Sequence, residues 1–402
     1  MLPIRVVVSL ILCLSSYSLL AGDSDDRVMP HRLPPAAEIP ADIGLRSAGR
    51  AMMASQSTHQ IDVMFLYADD AVRLYGNSNN VHARITSLLD YANTVYTNSG
   101  VNIVLHNAGE HHVYYDNGNT TTPAFNHLTS KSHPAFASVN LWRMQDQADI
   151  VVLLRPRKSD TAVCGKAYLN GGGLASPDST FWTMGGYAYA HVSINCYDFV
   201  LAHELGHVMG LVHTRADNNS RPYAYGAGYK ISNDFSTVMA STKAYAPPPS
   251  TLQVPYFSSP TLTCTGYNNT PAPCGIDSSQ PDGADAVLAL NNLASQVALF
   301  SDDSDSDGMP DWFEHFWGLD RFTPIDATAD TDGDGLNNLA EFYAESYPCP
   351  LAAYSITLAQ ARDTDTDSVL DGQDPYPTAA GSPVLELNGV YHGSTAQDSQ
   401  HP

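Results

Sequence analysis

Three histidines and a glutamate lie within one short stretch of the sequence, from His203 to His213. His203 and His207 are four residues apart, a spacing that places both imidazoles on one face of a helix, where they can share a metal ion. Gly210 offers a point where that helix can end, because glycine adopts a left-handed backbone without steric penalty, so the chain can turn and bring in His213. Three nitrogen ligands and one open position are typical of a catalytic zinc site.

The chemistry of such a site is hydrolysis. A zinc ion with three neutral imidazole ligands lowers the pKa of a bound water from 15.7 to about 7 and polarises a carbonyl. We expect Glu204, next to the first ligand, to accept the proton of that water and to deliver it to the leaving amine of a peptide bond. The alternative is a helix that carries two histidines at this spacing by chance. Gly210 and His213, at fixed offsets, argue against that alternative.

The residues around this stretch predict the scaffold that holds it. Short apolar runs alternate with segments of helical periodicity, which implies an α/β fold with a mostly parallel sheet and helical crossovers. The run at 163–169 is predicted as an edge strand, and the last strand leads into the helix of His203. The predicted strands cover 61–67, 101–105, 149–154, 163–169 and 187–194, and the predicted helices cover 81–97, 139–145, 198–209 and 283–300.

The N-terminus has the pattern of a secretory signal. Arg5 precedes an apolar run, and small residues around Ala21 suggest cleavage there. A membrane anchor is the alternative, but the run is short and interrupted by serines. Residues 1–21 are therefore predicted as a signal peptide, and 22–58 as a linker or short pro-segment rich in Pro, Ala and Arg. No later stretch is long and apolar enough to span a bilayer, so we expect an exported protein.

Five cysteines follow the predicted signal, and in an exported protein they are expected to pair. Cys264 with Cys274 would close a short loop. Cys164 with Cys196 would join the edge strand to the segment just before the histidine-bearing helix. Cys349 is then left over. The sequence alone does not fix this connectivity.

The charge of the chain is concentrated at its end. The net charge is -23, and residues 301–402 contain 20 Asp and Glu against two Arg. Such a surplus argues against nucleic acid or an anionic membrane as a partner. We expect a protein or peptide substrate and a monomeric chain.

The acidic residues of this region are regularly spaced, which distinguishes them from a disordered acidic tail. Two twelve-residue segments carry oxygen ligands at positions 1, 3, 5, 9 and 12 and Gly at position 6, the pattern of EF-hand calcium loops. A third run, from Asp363 to Asp374, is degenerate because Ser368 replaces the glycine. The predicted calcium ligands are Asp303, Asp305, Asp307, Asp311 and Glu314 in the first loop and Asp330, Asp332, Asp334, Asn338 and Glu341 in the second.

The pattern His203-Glu204-x-x-His207-x-x-Gly210-x-x-His213 resembles the extended motif of the metzincin zinc peptidases. Met239, 26 residues after the last histidine, resembles the methionine of the Met-turn, which forms a hydrophobic floor beneath the zinc in that family. Cys196, the segment 225–229 and the segment 256–260 are similar to those of bacterial reprolysin (adamalysin) relatives. Reprolysins usually carry Asp after the third histidine, whereas this chain has Thr214.

The resemblance implies an α/β (α+β) metzincin-like zincin over residues 59–300: a twisted, mostly parallel sheet, an active-site helix and a loop-rich C-terminal subdomain. Residues 301–402 resemble thrombospondin type 3 or dockerin-like calcium repeats. These likenesses imply a secreted zinc endopeptidase with structural calcium, whose C-terminal module can contact a cell surface or matrix. The alternative is a non-catalytic, calcium-dependent adhesion protein on a metzincin scaffold.

Overall fold

The computed structural model describes residues 57–344, except for 116–117, 158–162, 218, 241–250, 332 and 334. The predicted signal peptide, the predicted linker up to residue 56, Cys349 and the degenerate run at 363–374 lie outside the described residues.

A five-stranded sheet forms the centre of the molecule, in the order β2-β1-β3-β5-β4. Four of its strands are parallel, and β4 pairs antiparallel with β5 at one edge. All five strands expected from the sequence occur in it, so the predicted mostly parallel sheet with an edge strand is confirmed. The strands are β1 (His59–Ala68), β2 (Ile103–Val113), β3 (Ile150–Arg155), β4 (Gly165–Ala167) and β5 (Tyr189–Ser193).

The remaining regular elements are helices and short two-residue strands. Most predicted helices appear within a few residues of their expected bounds. The α-helices in the described part of the chain are α1 (Asp69–Tyr75), α2 (Ser78–Ser99), α3 (Thr121–Thr129), α4 (Val139–Gln145), α5 (Pro177–Thr180), α6 (Val200–Val208), α7 (Ala286–Val297), α8 (Asp311–Trp317) and α9 (Asn338–Ala344). Short 3-10 helices are Pro134–Phe136, Phe181–Tyr187 and Asp326–Thr328, and the small strands are β6 (Lys230–Ile231), β7 (Phe235–Ser236), β8 (Leu252–Gln253), β9 (Thr263–Cys264) and β10 (Ala272–Pro273).

Both faces of the sheet are buried, because alternate side chains of each strand point to opposite faces. In β1, Val63 and Phe65 belong to the core that contains α2, α6 and α7. Met64 and Leu66 belong to a second core on the other face, under α3 and α4. This double burial explains why the central strands read as continuous apolar runs rather than as alternating ones.

Helix α3 was not expected from the sequence, where the region around it reads as a polar Asn/Thr-rich loop. Its sequence, Thr121 to Thr129, contains three threonines and a proline, which are weak helix formers. The helix nevertheless forms because Phe125 and Leu128 are fully buried against the sheet. Tertiary packing therefore outweighs local propensity at this point.

Two disulfides are present in the described part of the chain. Cys164, just before β4, is bonded to Cys196, which follows β5, and Cys264 is bonded to Cys274. Both predicted pairings are confirmed. None of the helices in the described part of the chain is both long and apolar enough to cross a bilayer.

Candidate metal centres

Helix α6 holds the first two histidines, and a glycine turn delivers the third. The helix ends at Val208, and Gly210 has a φ of +85°, the left-handed conformation that the sequence predicts there. The Leu211 amide donates to the Gly206 carbonyl at 2.9 Å, which closes the end of the helix with a capping bond and reverses the chain toward His213.

The three imidazoles converge on one point. The Nε2 atoms of His203, His207 and His213 lie 3.1, 3.1 and 3.2 Å from one another. The Nδ1 of His203 donates to the Val238 carbonyl and the Nδ1 of His207 donates to the Leu211 carbonyl, each at 2.8 Å. These bonds fix the tautomers of His203 and His207, so that the Nε2 lone pairs of both rings face the common point.

The electrostatic state of these histidines suits metal binding. Burial, and secondarily the neighbouring His213, lowers the pKa of His203 to about 3. Burial and the adjacent imidazoles also hold the pKa of His207 well below its usual value. Both rings are therefore neutral near pH 7 and have free lone pairs.

A zinc ion fits this donor set. With zinc–nitrogen distances of about 2.0–2.1 Å, the nitrogens of a tetrahedral site are about 3.4 Å apart. The observed separations of 3.1–3.2 Å between the three Nε2 atoms are close to that value. Three histidines are also among the ligand sets of catalytic zinc sites.

Glu204 lies beside the histidines in a space that the edge strand keeps open. Its side chain is buried, with 1% of the residue exposed. A Cβ added to Gly165 in β4 would lie 2.6 Å from the Glu204 Cγ and would overlap the carboxylate. A larger residue at position 165 would displace the Glu204 side chain from this position. The sequence reasoning missed Gly165.

Met239, the residue that resembles the Met-turn methionine, packs against helix α6. It is fully buried, and its sulfur occupies the space that a Cβ on Gly206 would need. The residue before it, Val238, accepts the hydrogen bond from His203. The turn therefore both supports helix α6 and orients one imidazole.

A carboxylate that the sequence reasoning did not single out approaches the third histidine. Oδ2 of Asp217 is 3.9 Å from Nδ1 of His213. Thr214 holds this carboxylate with two hydrogen bonds of 3.1 Å, one from its amide and one from its hydroxyl. The position where reprolysins usually carry Asp thus holds a threonine that binds an aspartate three residues later. The signal in the sequence is Thr214-x-x-Asp217, a common local hydrogen-bonding pattern.

The structure brings together three of the five predicted ligands of the first acidic loop. Asp303, Asp305 and Asp307 offer carboxylate oxygens within 4.8 Å of one another. A second group, within the same distance, consists of Asp307, the predicted ligand Glu314, and Asp326, which no motif indicated.

Asp311, the remaining predicted ligand of this loop, has other partners. It accepts hydrogen bonds from the amide and the hydroxyl of Ser304, each at 2.7 Å, and forms an ion pair of 2.8 Å with Arg321. It is not part of either carboxylate group.

The second loop is described only in part, since Asp332 and Asp334 lie outside the described residues. Asp330 accepts hydrogen bonds from the Gly333 and Gly335 amides at 2.6 and 3.0 Å, the compact turn expected of a calcium loop. Asn338 and Glu341 are both fully buried.

The fold and the three-histidine site together define a metzincin-like zincin. The family model of the reprolysin-like metallopeptidases, family M12B, matches residues 58–279, which is more than half of the chain. The chain belongs to this family.

Similar proteins carry the name peptidyl-Asp metalloendopeptidase. The one from Pseudomonas aeruginosa is 31% identical over 264 residues, which cover 62% of this chain and 42% of that protein. The one from Xanthomonas campestris pv. campestris is 29% identical over 69% of this chain and 61% of its own length. The one from Stenotrophomonas maltophilia (strain R551-3) is 31% identical over 63% of this chain and 55% of its own length. The chain thus spans between about two fifths and three fifths of these relatives.

A chain from a solved chaperone–substrate complex has a TM-score of 0.45 and 20% identity, covering 61% of this chain and 35% of that chain. This likeness is too weak to inform the fold.

Proposed function

We propose that the protein is an exported zinc endopeptidase that hydrolyses peptide bonds with Glu204 as its general base. The observation that carries the proposal is the convergence of three Nε2 atoms, 3.1–3.2 Å apart, next to a buried carboxylate. His203, His207 and His213 would hold the ion. Zinc in such a site acts as a Lewis acid that lowers the pKa of water and polarises a carbonyl.

The protein's own residues then position and move a proton. Glu204 accepts a proton from the attacking water and returns it to the nitrogen of the leaving amine. The contact with Gly165 fixes the carboxylate on the side of the edge strand. The Val238 and Leu211 carbonyls keep two imidazoles in the tautomer that presents Nε2 to the metal.

The direct test is Glu204→Gln, which keeps the size of the side chain and removes the base. We expect cleavage of unfolded casein to fall by about 10²–10⁴-fold, the usual contribution of a general base. Zinc content, measured by plasma mass spectrometry, should stay near one ion per chain. Activity that survives both this substitution and treatment with phenanthroline would refute the proposal.

For the substrate, we propose peptide bonds next to aspartate. The support is the shared name of the relatives, which are about 30% identical to this chain. Peptide pairs that differ only by Asp or Asn at one position should differ in kcat/KM by about tenfold or more. Mass spectrometry of the products identifies the bond. Equal cleavage of both members of each pair would contradict this specificity.

Export and calcium binding belong to the same proposal. Two disulfides support an oxidising compartment, because such bonds are rare in the reducing cytosol. The closely spaced carboxylates of the first loop support calcium as a structural ion. N-terminal sequencing of protein recovered from the medium should show a start near residue 22.

The alternative of a non-catalytic adhesion protein is not favoured. The chain keeps Glu204 in a buried position beside the histidines, and its relatives are named as metalloendopeptidases. A protein that retained only binding would have no need of this carboxylate.

A further inference from the structure

The first acidic loop buries carboxylate oxygens that pair with no positive charge in the described part of the chain. Glu314 is fully buried, and neither of its carboxylate oxygens has a hydrogen-bond partner among the described residues. The same holds for both oxygens of Asp305 and for one oxygen each of Asp307 and Asp326. Burial of ionised groups without partners is strongly unfavourable, so this arrangement points to a cation.

Asp326 is the member of this set that lies outside the loop motif. It follows Glu314 by twelve residues and begins the short 3-10 helix Asp326–Thr328. Its Oδ2 accepts a hydrogen bond of 2.9 Å from the Asp320 amide, and its buried Oδ1 has no hydrogen-bond partner among the described residues. Its carboxylate, that of Asp307 and that of Glu314 lie within 4.8 Å of one another.

The donors in this group are all oxygens. Calcium takes six to eight oxygen ligands in flexible geometry, whereas magnesium demands a near-ideal octahedron and keeps several waters. A group of carboxylates from a loop and a distant turn suits the larger, less demanding ion.

We propose that Asp326 completes a calcium site with Asp305, Asp307 and Glu314, in place of the loop residue Asp311. The inference refines the calcium part of the proposed function and is independent of the peptidase activity. Asp311 cannot serve in the same way, because Ser304 and Arg321 occupy its carboxylate.

Asp326 connects the proposed calcium site of the first acidic loop to the second acidic loop. Its backbone carbonyl accepts a hydrogen bond of 2.7 Å from Nδ2 of Asn338, the residue that begins helix α9 in the second loop. Ala327, next in the chain, packs with Phe313 and Phe342 in one small core. An ion held by Asp326 therefore links the first loop to the segment that leads into the second.

A calcium ion at this site would also affect the contact between helix α8 and the peptidase domain. Glu314 shares helix α8 with Trp312, whose indole fills the space beside Gly185 and lies 5.7 Å from the Arg143 guanidinium. Asn140 donates to the Phe342 carbonyl at 2.7 Å across the same contact. Calcium that fixes α8 should thus stabilise the docking of the C-terminal region on helix α4 and on the 3-10 helix Phe181–Tyr187.

The test is a titration of the full chain with CaCl2, after treatment with a chelating resin and with ZnCl2 restored to one equivalent. Three of the four tryptophans, Trp182, Trp312 and Trp317, lie in the small core beside the site and report on it by fluorescence. Asp326→Asn keeps an acceptor for the Asp320 amide and removes the charge. Asp282→Asn, in an exposed turn of the peptidase domain, is the matched control.

We expect Asp326→Asn to raise the half-saturating CaCl2 concentration by about tenfold or more, and Asp282→Asn to change it by less than about twofold. Asp311→Asn should have a smaller effect than Asp326→Asn. Recovery of the wild-type melting temperature at high CaCl2 shows that the Asp326 variant is folded. An unchanged titration for Asp326→Asn, or a larger effect of Asp311→Asn, would overturn the inference while leaving calcium binding intact. No response of the wild-type chain to CaCl2 would refute calcium binding itself, without bearing on the Glu204 test.

Discussion

The histidine site and the acidic site both gather metal-binding side chains, but they do so over very different lengths of chain. The three histidines lie within eleven residues, on one helix and the turn that follows it. The carboxylate group that includes Asp326 extends over twenty residues, from Asp307 to Asp326, and joins a loop, a helix and a separate 3-10 turn. Where ligands share one helix, their spacing determines their positions. Where they come from separate elements, the packing of those elements decides which residues reach the ion.

The two sites also differ in how they depend on the rest of the molecule. The histidine site is supported by residues that must be small or correctly hydrogen-bonded, such as Gly165, Gly206 and Thr214. The acidic site takes Glu314 from helix α8, which contacts the peptidase domain through Trp312 and Arg143. Substitutions in the supporting residues can therefore test whether each site is fixed locally or by packing.

Gly165→Ala should have the largest effect, because the added methyl group overlaps the Glu204 carboxylate. Displacing a catalytic group by about 1 Å costs on the order of 10²-fold in rate, so kcat should fall by about that factor while zinc content is unchanged. Gly118→Ala is the control, since a Cβ at that position meets nothing within 4 Å. Equal kcat values for the two variants would show that β4 does not position the base.

The junction between the two regions should be sensitive to pH through Asp149. This carboxylate accepts hydrogen bonds from Ser301 and from the Asp62 amide, yet burial raises its pKa to about 7. In the unfolded chain an aspartate titrates near 3.9. Between about pH 4 and pH 7 the folded state therefore holds a proton that the unfolded state has lost, and stability falls as the pH rises through this window.

The contribution of Asp149 amounts to about 2 kcal/mol between pH 5 and pH 8, as a difference in the free energy of unfolding. Asp149→Asn should reduce the loss of stability over this range by about that amount, as measured by denaturant unfolding at both pH values. A variant with the same pH dependence as the wild type would contradict the protonated state of Asp149.

Asp217→Asn should have the smallest effect. The carboxylate lies 3.9 Å from Nδ1 of His213 and favours the orientation in which Nε2 faces the metal. Loss of its charge should weaken zinc binding by about tenfold, as measured by competition with a chelator. Thr214→Val, which removes one of the two hydrogen bonds to Asp217, should weaken it less. A stronger effect of Thr214→Val would mean that the threonine acts on the site by another route.

Much of the fold and the positions of the histidines could be predicted from the sequence. The apolar runs of β1 and β3 are continuous because both faces of the sheet are covered. The extension of β2 to Val113 could not be predicted, because its second half is polar and only partly buried. Helix α3 was missed for a similar reason, since its helical state depends on packing against the sheet rather than on its residues.

The roles of the supporting residues could not be predicted from spacings in the sequence. Gly165 is close to Glu204 only because the edge strand passes beside helix α6. Asp217 lies near His213 because Thr214 binds it. The family resemblance predicts an aspartate only at position 214, not at position 217. Asp326 lies at the acidic site because the segment after helix α8 folds back toward the first loop. No spacing in the sequence predicts that Asp326 is close to the other carboxylates.

The most direct test of the two metal sites is a crystal structure with zinc and calcium present. Anomalous diffraction data on both sides of the zinc absorption edge would locate the zinc ion. We predict a zinc peak bonded to the Nε2 atoms of His203, His207 and His213, and a calcium ion that touches Asp326 and Glu314 while Asp311 stays paired with Arg321. A zinc peak away from the three histidines, or a calcium ion bound by Asp311 with Asp326 turned away, would contradict this prediction.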